Sequence, residues 1–283
     1  MSLSPAPLGD AAVGPGAALA VASALALLGY VWVGLRSAAA AAQPPRRQSV
    51  PPLALAWMAQ FVALFIDISG YGLATPGARF GFAPALSMTM WLVLTVYLVE
   101  SRFLPLHSVR RVLAWLAAAA VLLAWSFPGE SRPLAASPWA PLHWVLGLAS
   151  YGLFGVAVLH AALLNRAEQQ MRRRQPTPGG LPLLQLERLT FQFVAAGVGV
   201  LSLAILLGWW FTPQWKWDHK NLLAVLGWLV LTGLLVGRRL YGWRGRRATR
   251  WLYAGAGLLL LSYAGSRFVL EVILQRAVAG GGA

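Results

Sequence analysis

Two histidines, His143 and His219, each stand at the start of a long apolar run. Imidazole ligates metal ions and haem iron, and it is uncommon at a membrane edge unless something uses it. Other residues able to do chemistry gather near the second histidine. Trp209, Trp210, Trp215, Trp217, Asp218 and His219 fall within eleven residues. Indole faces beside an imidazole suit a flat, apolar macrocycle with polar edges, and haem is one such ligand. Further along, Tyr263, Arg267 and Glu271 recur every four residues, which places them on one helix face. Asp67 is a carboxylate inside an earlier apolar run. The chain has no cysteine, so disulfides, thiolate zinc sites and covalent C-x-x-C-H haem attachment are excluded.

The elements that must position these residues are membrane spans. Hydrophobic residues make up 58% of the 283 and charged residues 11%, with 14 Trp. A soluble domain averages roughly 45–50% apolar and about 25% charged. The net charge of +15 would suit nucleic acid, but the same excess is expected in the cytoplasmic loops of a membrane protein, and the apolar runs favour that reading. Eight spans are expected, at about 16–35, 53–74, 84–100, 111–127, 142–164, 190–211, 221–237 and 251–274. Each is near the roughly 20 residues that cross a ~30 Å hydrocarbon layer. All are read as helices, because backbone groups in lipid must be satisfied internally. The fold expected is an all-α integral membrane protein, a single helical domain over residues 1–283.

Seventeen of the 23 Lys and Arg fall in four loops on one side of such a bundle and five on the other, with Arg267 inside the last span. The positive-inside rule therefore places both termini on the outer side. Residues 1–15 hold Asp10 and no Lys or Arg, so the first span reads as a retained helix, not a signal peptide. The Pro- and Gly-containing stretch 172–182 reads as a linker between five spans and three.

This topology brings His143 and His219 to the outer face. Two readings stand: polar residues at the interface, or two axial ligands of one iron. His160 lies 17 residues beyond His143, ~25 Å deeper by the helical rise, and shares no site with it. With His107 it is expected at the cytoplasmic interface. Arg267, in the outer half of its span, is expected to pair with Glu271 or Asp67 or to bind a carboxylate through its guanidinium fork. No hydrolytic triad, P-loop or dinucleotide fingerprint is present, and no catalytic centre is assigned.

Three segments carry a family likeness: HWVLGLASYGLFGVAVLHAALL (143–164), HKNLLAVLGWLVLTGLLVGRRLYGWRGRRA (219–248) and LLLLSYAGSRFVLEVIL (258–274). With RFGFAPALSMTMWLVLTVYLVESR (79–102) they cover most of residues 79–274. This region resembles the cytochrome c assembly superfamily of membrane haem-handling proteins, and within it the YpjD-type branch, related to HemX.

The resemblance implies a bacterial inner-membrane, multi-pass protein that binds haem b non-covalently at its outer face. His143 and His219 would be axial ligands, Trp215, Trp217 and Asp218 would border the macrocycle, and Arg267 would meet a propionate. The tryptophan-rich element is only Trp215-Lys216-Trp217-Asp218, in a short loop. The expected role is accordingly accessory: haem handling in cytochrome c maturation. The partners implied are haem, the lipid bilayer, and maturation proteins or apocytochrome, with no nucleic acid. Two other classes stay open, a small-molecule permease using Asp67 and Arg267 and a ligand-free membrane scaffold or regulatory subunit.

Overall fold

The computed structural model describes residues 16–40, 51–70, 78–102, 107–128, 130–132, 139–173, 183–211 and 217–269. Eight long helices follow one another: α1 (Ala17–Ala40), α2 (Pro51–Ser69), α3 (Phe82–Glu100), α4 (His107–Ser126), α5 (Ala140–Arg172), α6 (Leu183–Phe211), α7 (His219–Tyr241) and α8 (Gly245–Leu260). The first seven are long and apolar enough to cross a membrane. The eighth continues through a π-helical turn, Leu261–Gly265, into one more turn at Ser266–Phe268. Apart from one short pair of strands, the regular structure among the described residues is helical, and the chain is an integral membrane protein, as its composition predicts.

Local chemistry sets several boundaries. Pro141 opens the first turn of α5, where a missing N–H costs nothing. Asp218 caps α7, its side chain accepting from the Asn221 N–H at 2.8 Å. Gly242, at φ 64°, ends α7 in the left-handed conformation that glycine tolerates.

Two apolar clusters hold the bundle together. Tyr30, Leu53, Leu94 and Leu113 centre the first, built by α1–α4 and closed by Val156 of α5. Phe154, Val194, Leu231 and Leu252 centre the second, built by α5–α8. Helices approach closely where side chains are small. A Cβ on Gly29 would lie 2.8 Å from that of Ala56, and one on Gly255 only 2.5 Å from Leu231. On the outward faces, Val21, Leu25, Leu28 and Trp32 form an exposed stripe along α1 that suits lipid contact.

The stretch 172–182 falls between the fifth and sixth helices, so five long helices precede it and three follow. α5 and α6 flank it and form the most extensive helix–helix interface described. Helix α5 belongs to both clusters and acts as a common spine. Its 33 residues span ~50 Å, well beyond the hydrocarbon thickness. A departure from the expected architecture is a short antiparallel ladder, β1 (Ala78–Phe80) with β2 (Glu130–Arg132), pairing Ala78 with Arg132. It joins the α2–α3 and α4–α5 connections on the side where His143 begins α5. Three-residue strands carry too little alternation to be read from sequence.

His160 is a correction. It is fully buried between helices, not interfacial. Its Nε2 lies 2.9 Å from Glu100 Oε2, and its ring stacks on Phe193 with centroids 5.4 Å apart. The rise along α5 gives its depth correctly, but depth does not reveal which way a side chain faces. His107 begins α4, and nothing further is described of its side chain.

Candidate functional site

The N-terminal end of α5 carries His143, Gly147 and Tyr151 at four-residue spacing, so they share one face. All three line a cavity between α2, α3, α5, α6, α7 and the π turn. His143 is partly buried there. Its Nδ1 lies 2.8 Å from the Ala204 carbonyl oxygen on α6. A carbonyl only accepts, so Nδ1 carries the proton and Nε2 the lone pair. One turn further along α6, Gly208 makes room for the ring: a Cβ there would be 2.9 Å from His143 Cε1. The imidazole is thus fixed in tautomer and in place.

The opposite wall comes from the end of α8. In the π turn the backbone pairs five residues back instead of four, as in Ser266 N–H to Leu261 O. Such turns shift the phase of the helix that follows. Side chains support this one: the Tyr151 hydroxyl donates to Leu259 O at 2.8 Å, and the Ser262 hydroxyl donates to Lys220 O at 2.8 Å. Tyr263 and Arg267 both line the cavity as a result. Lys220 Nζ lies 5.5 Å from the Tyr263 ring centroid, within cation–π range. Asp67 of α2 also lines the cavity, so Asp67 and Arg267 do share a site.

The remaining expected residues fall differently. His219 is exposed at the first position of α7 and does not line the cavity, although its neighbours Lys220 and Asn221 do. Trp217 is 69% exposed. Asp218 caps α7. Trp215 and Glu271 lie outside the described residues. Reasoning from sequence missed Tyr151, Gly208, Lys220 and Ser262. Tyr151 alone carried a local signal, two turns from His143 on the same face.

The cavity offers one imidazole in a defined tautomer, two cations, one carboxylate and aromatic edges from Trp144 and Tyr263. Its floor is apolar, with Leu64, Met88, Leu148 and Ile205. Among the described residues no group of three or more His, Cys, Asp or Glu could hold a bare metal ion. The arrangement suits an amphiphile with an apolar body, anionic groups and an atom that accepts a nitrogen ligand.

The family described as cytochrome C assembly protein matches residues 80–274. The chain is 33% identical to the inner membrane protein YpjD of Escherichia coli (strain K12) over 148 residues, 50% of this chain and 55% of that one. It is 30% identical to an uncharacterized 28.8 kDa protein of Azospirillum brasilense over 144 residues, 48% of this chain and 53% of that one. A cytochrome c biogenesis protein CcsA of Synechococcus sp. (strain JA-3-3Ab) is 31% identical over 107 residues, 34% of this chain and 31% of that one. The chain spans about half the length of the first two relatives. No solved structure matches.

Proposed function

We propose that this chain, which belongs to the cytochrome c assembly protein family, is a multi-pass inner-membrane accessory protein that holds haem b non-covalently at its outer face during cytochrome c maturation. The observation that carries the reading is the seat of His143. A ligating histidine typically donates its second ring N–H to a carbonyl or carboxylate, which fixes the tautomer and raises basicity. His143 makes that bond to Ala204. YpjD of Escherichia coli is named an inner membrane protein, which supports the location.

Haem, when bound, would supply an iron that takes nitrogen ligands and two propionate carboxylates. The donor set fits. His143 offers Nε2, Arg267 and Lys220 offer positive charge for carboxylates, and Tyr263 and Trp144 offer ring contacts. The cavity measures about 210 Å³. That is less than the ~300–1,000 Å³ of a drug-sized pocket. A macrocycle would enter only in part, leaving its outer edge to rim residues. His219 and Trp217 would meet that edge, His219 as a second nitrogen ligand, with Asp218 capping the helix start that carries it. The distribution of basic residues supports placing this end, and both termini, on the outer side.

An absorbance spectrum of the purified protein tests the reading. A Soret band is expected after expression with haem supplied, and it is lost in His143→Ala and in His219→Ala. A colourless protein with no saturable Soret shift on haem titration overturns it. A second reading, a permease for a small amphiphile, is favoured only by the shared placement of Asp67 and Arg267. It predicts substrate uptake into proteoliposomes that Asp67→Asn abolishes.

A further inference from the structure

We propose that the turn between α7 and α8 is a binding surface for the headgroups of anionic phospholipids. The 23 residues of α7 span ~34 Å, enough to cross the hydrocarbon layer and bring Tyr241 to headgroup level. The chain then reverses within four residues, with Gly242 and Gly245 at φ 64° and 57°. This reversal lays Trp243 back on α7, where a Cβ at Gly237 would be 2.6 Å from the indole.

Trp243 is the centre of the surface. It stacks on Trp251, with centroids 5.8 Å apart, and on Tyr241 at 6.4 Å. The Arg247 guanidinium sits over its face, 4.4 Å from the ring centroid. A guanidinium held on an aromatic face keeps its N–H donors in their own plane, where they can meet a phosphate as a fork. Arg239, Arg246 and Arg250 are exposed around it. Two carboxylates stand nearby. Glu187 lies 3.6 Å from both Arg238 and Arg244, and Glu168 is 3.8 Å from a Cβ built on Gly245. Six arginines against two carboxylates leave a strong positive excess.

Charge alone would suit any polyanion. The apolar component of the surface decides for lipid. Leu240 is 71% exposed, Tyr241 74% and Trp251 41%, all beside the arginines. Amphipathic aromatic rings at this level sit at the boundary of headgroup and acyl chain. A soluble polyanion would leave them bare, whereas a phospholipid covers both parts. Each basic residue at such a surface contributes enough for roughly a fivefold change in affinity for anionic lipid.

The test uses the full-length protein extracted from nanodiscs of phosphatidylcholine mixed with phosphatidylglycerol, with retained lipid measured by mass spectrometry. Wild type is expected to retain phosphatidylglycerol well above its bulk fraction. Arg247→Gln should lower the enrichment roughly fivefold, and R246Q/R247Q/R250Q should erase it. Trp243→Ala, which keeps every charge, should also lower it. Arg111→Gln, exposed on α4 away from this turn, should leave it unchanged. Enrichment that survives in Arg247→Gln, or in the triple variant if it folds, overturns the proposal. So does displacement of the lipid by inorganic phosphate or a soluble oligonucleotide, because either would assign the surface to a soluble anion.

Discussion

The imidazole of His143 is tied to the main chain of α6 by a 2.8 Å hydrogen bond from Nδ1 to the oxygen of Ala204. A side chain of one helix and the backbone of another are thereby held in a single register. Gly208, one turn away, is the residue that permits it.

Gly208→Ala is therefore expected to displace the ring. A Cβ 2.9 Å from Cε1 cannot coexist with the present rotamer, and overpacking of this kind costs about 1–3 kcal/mol. The Soret band should weaken or shift while the protein still folds. Gly199→Ala, on the same helix with no atom within 4 Å of its Cβ, is the control and should leave the spectrum unchanged. Identical spectra for both variants would remove Gly208 from the site.

Tyr151→Phe removes the hydroxyl that donates to the Leu259 carbonyl and also meets the Ser262 side chain. The loss should cost about 1 kcal/mol in stability. If the π turn depends on this bond, Arg267 relaxes away from the cavity and haem affinity falls. Titration of haem into Tyr151→Phe and Arg267→Gln tests the link: the two variants should weaken binding alike, and the double variant should add little. Additive losses would separate Tyr151 from Arg267.

The helices were legible in the sequence because lipid leaves an apolar run of sufficient length few alternatives. Their ends were less so. Glu187 and Arg188 look like loop residues, yet α6 begins at Leu183, since Glu187 turns to Arg238 and Arg244 and needs no water. His143 and Arg267 could be named from spacing and type. Their convergence with Lys220 and Tyr151 could not, because it depends on a π turn that no local pattern announces. His160 was misplaced for a similar reason: its partners Glu100 and Phe193 come from other helices.

His160→Phe should separate structure from ligation. It leaves Glu100 without its imidazole hydrogen bond in a mostly buried place, which costs about 1.5–3 kcal/mol. Thermal unfolding should occur at lower temperature, with the Soret band unaltered in the protein that remains folded. Loss of the band without loss of stability would move the axial ligand to the inner half of α5.

Gln60 offers a comparable test away from the site. Its side chain accepts from the Tyr30 hydroxyl and donates to both the backbone oxygen and the hydroxyl of Ser87, all buried. Gln60→Leu strands the Tyr30 hydroxyl and should cost about 1–3 kcal/mol. Unfolding measured by near-ultraviolet circular dichroism should reveal the change, and haem titration should not. An unchanged unfolding midpoint would mean that this network contributes no stability.

The absence of native cysteine makes orientation directly measurable. Ser131→Cys, in β2, should react with an impermeant maleimide in intact cells. Arg244→Cys, in the α7–α8 turn, should react only after the membrane is opened. The reverse pattern would invert the topology and move the cavity to the cytoplasmic side.

The ladder between β1 and β2 also has a temporal meaning. Ala78 and its partner Arg132 are 54 residues apart, and α3 and α4 are made between them. During synthesis the first strand must wait on its side of the membrane until α3 and α4 have both inserted and delivered the second. The ladder closes only after that pair is in place, and α5 emerges next. The connections before α3 and before α5 are thus tied together only once a whole helical hairpin has been inserted, so this backbone clasp belongs to the late stage of assembling the first four helices.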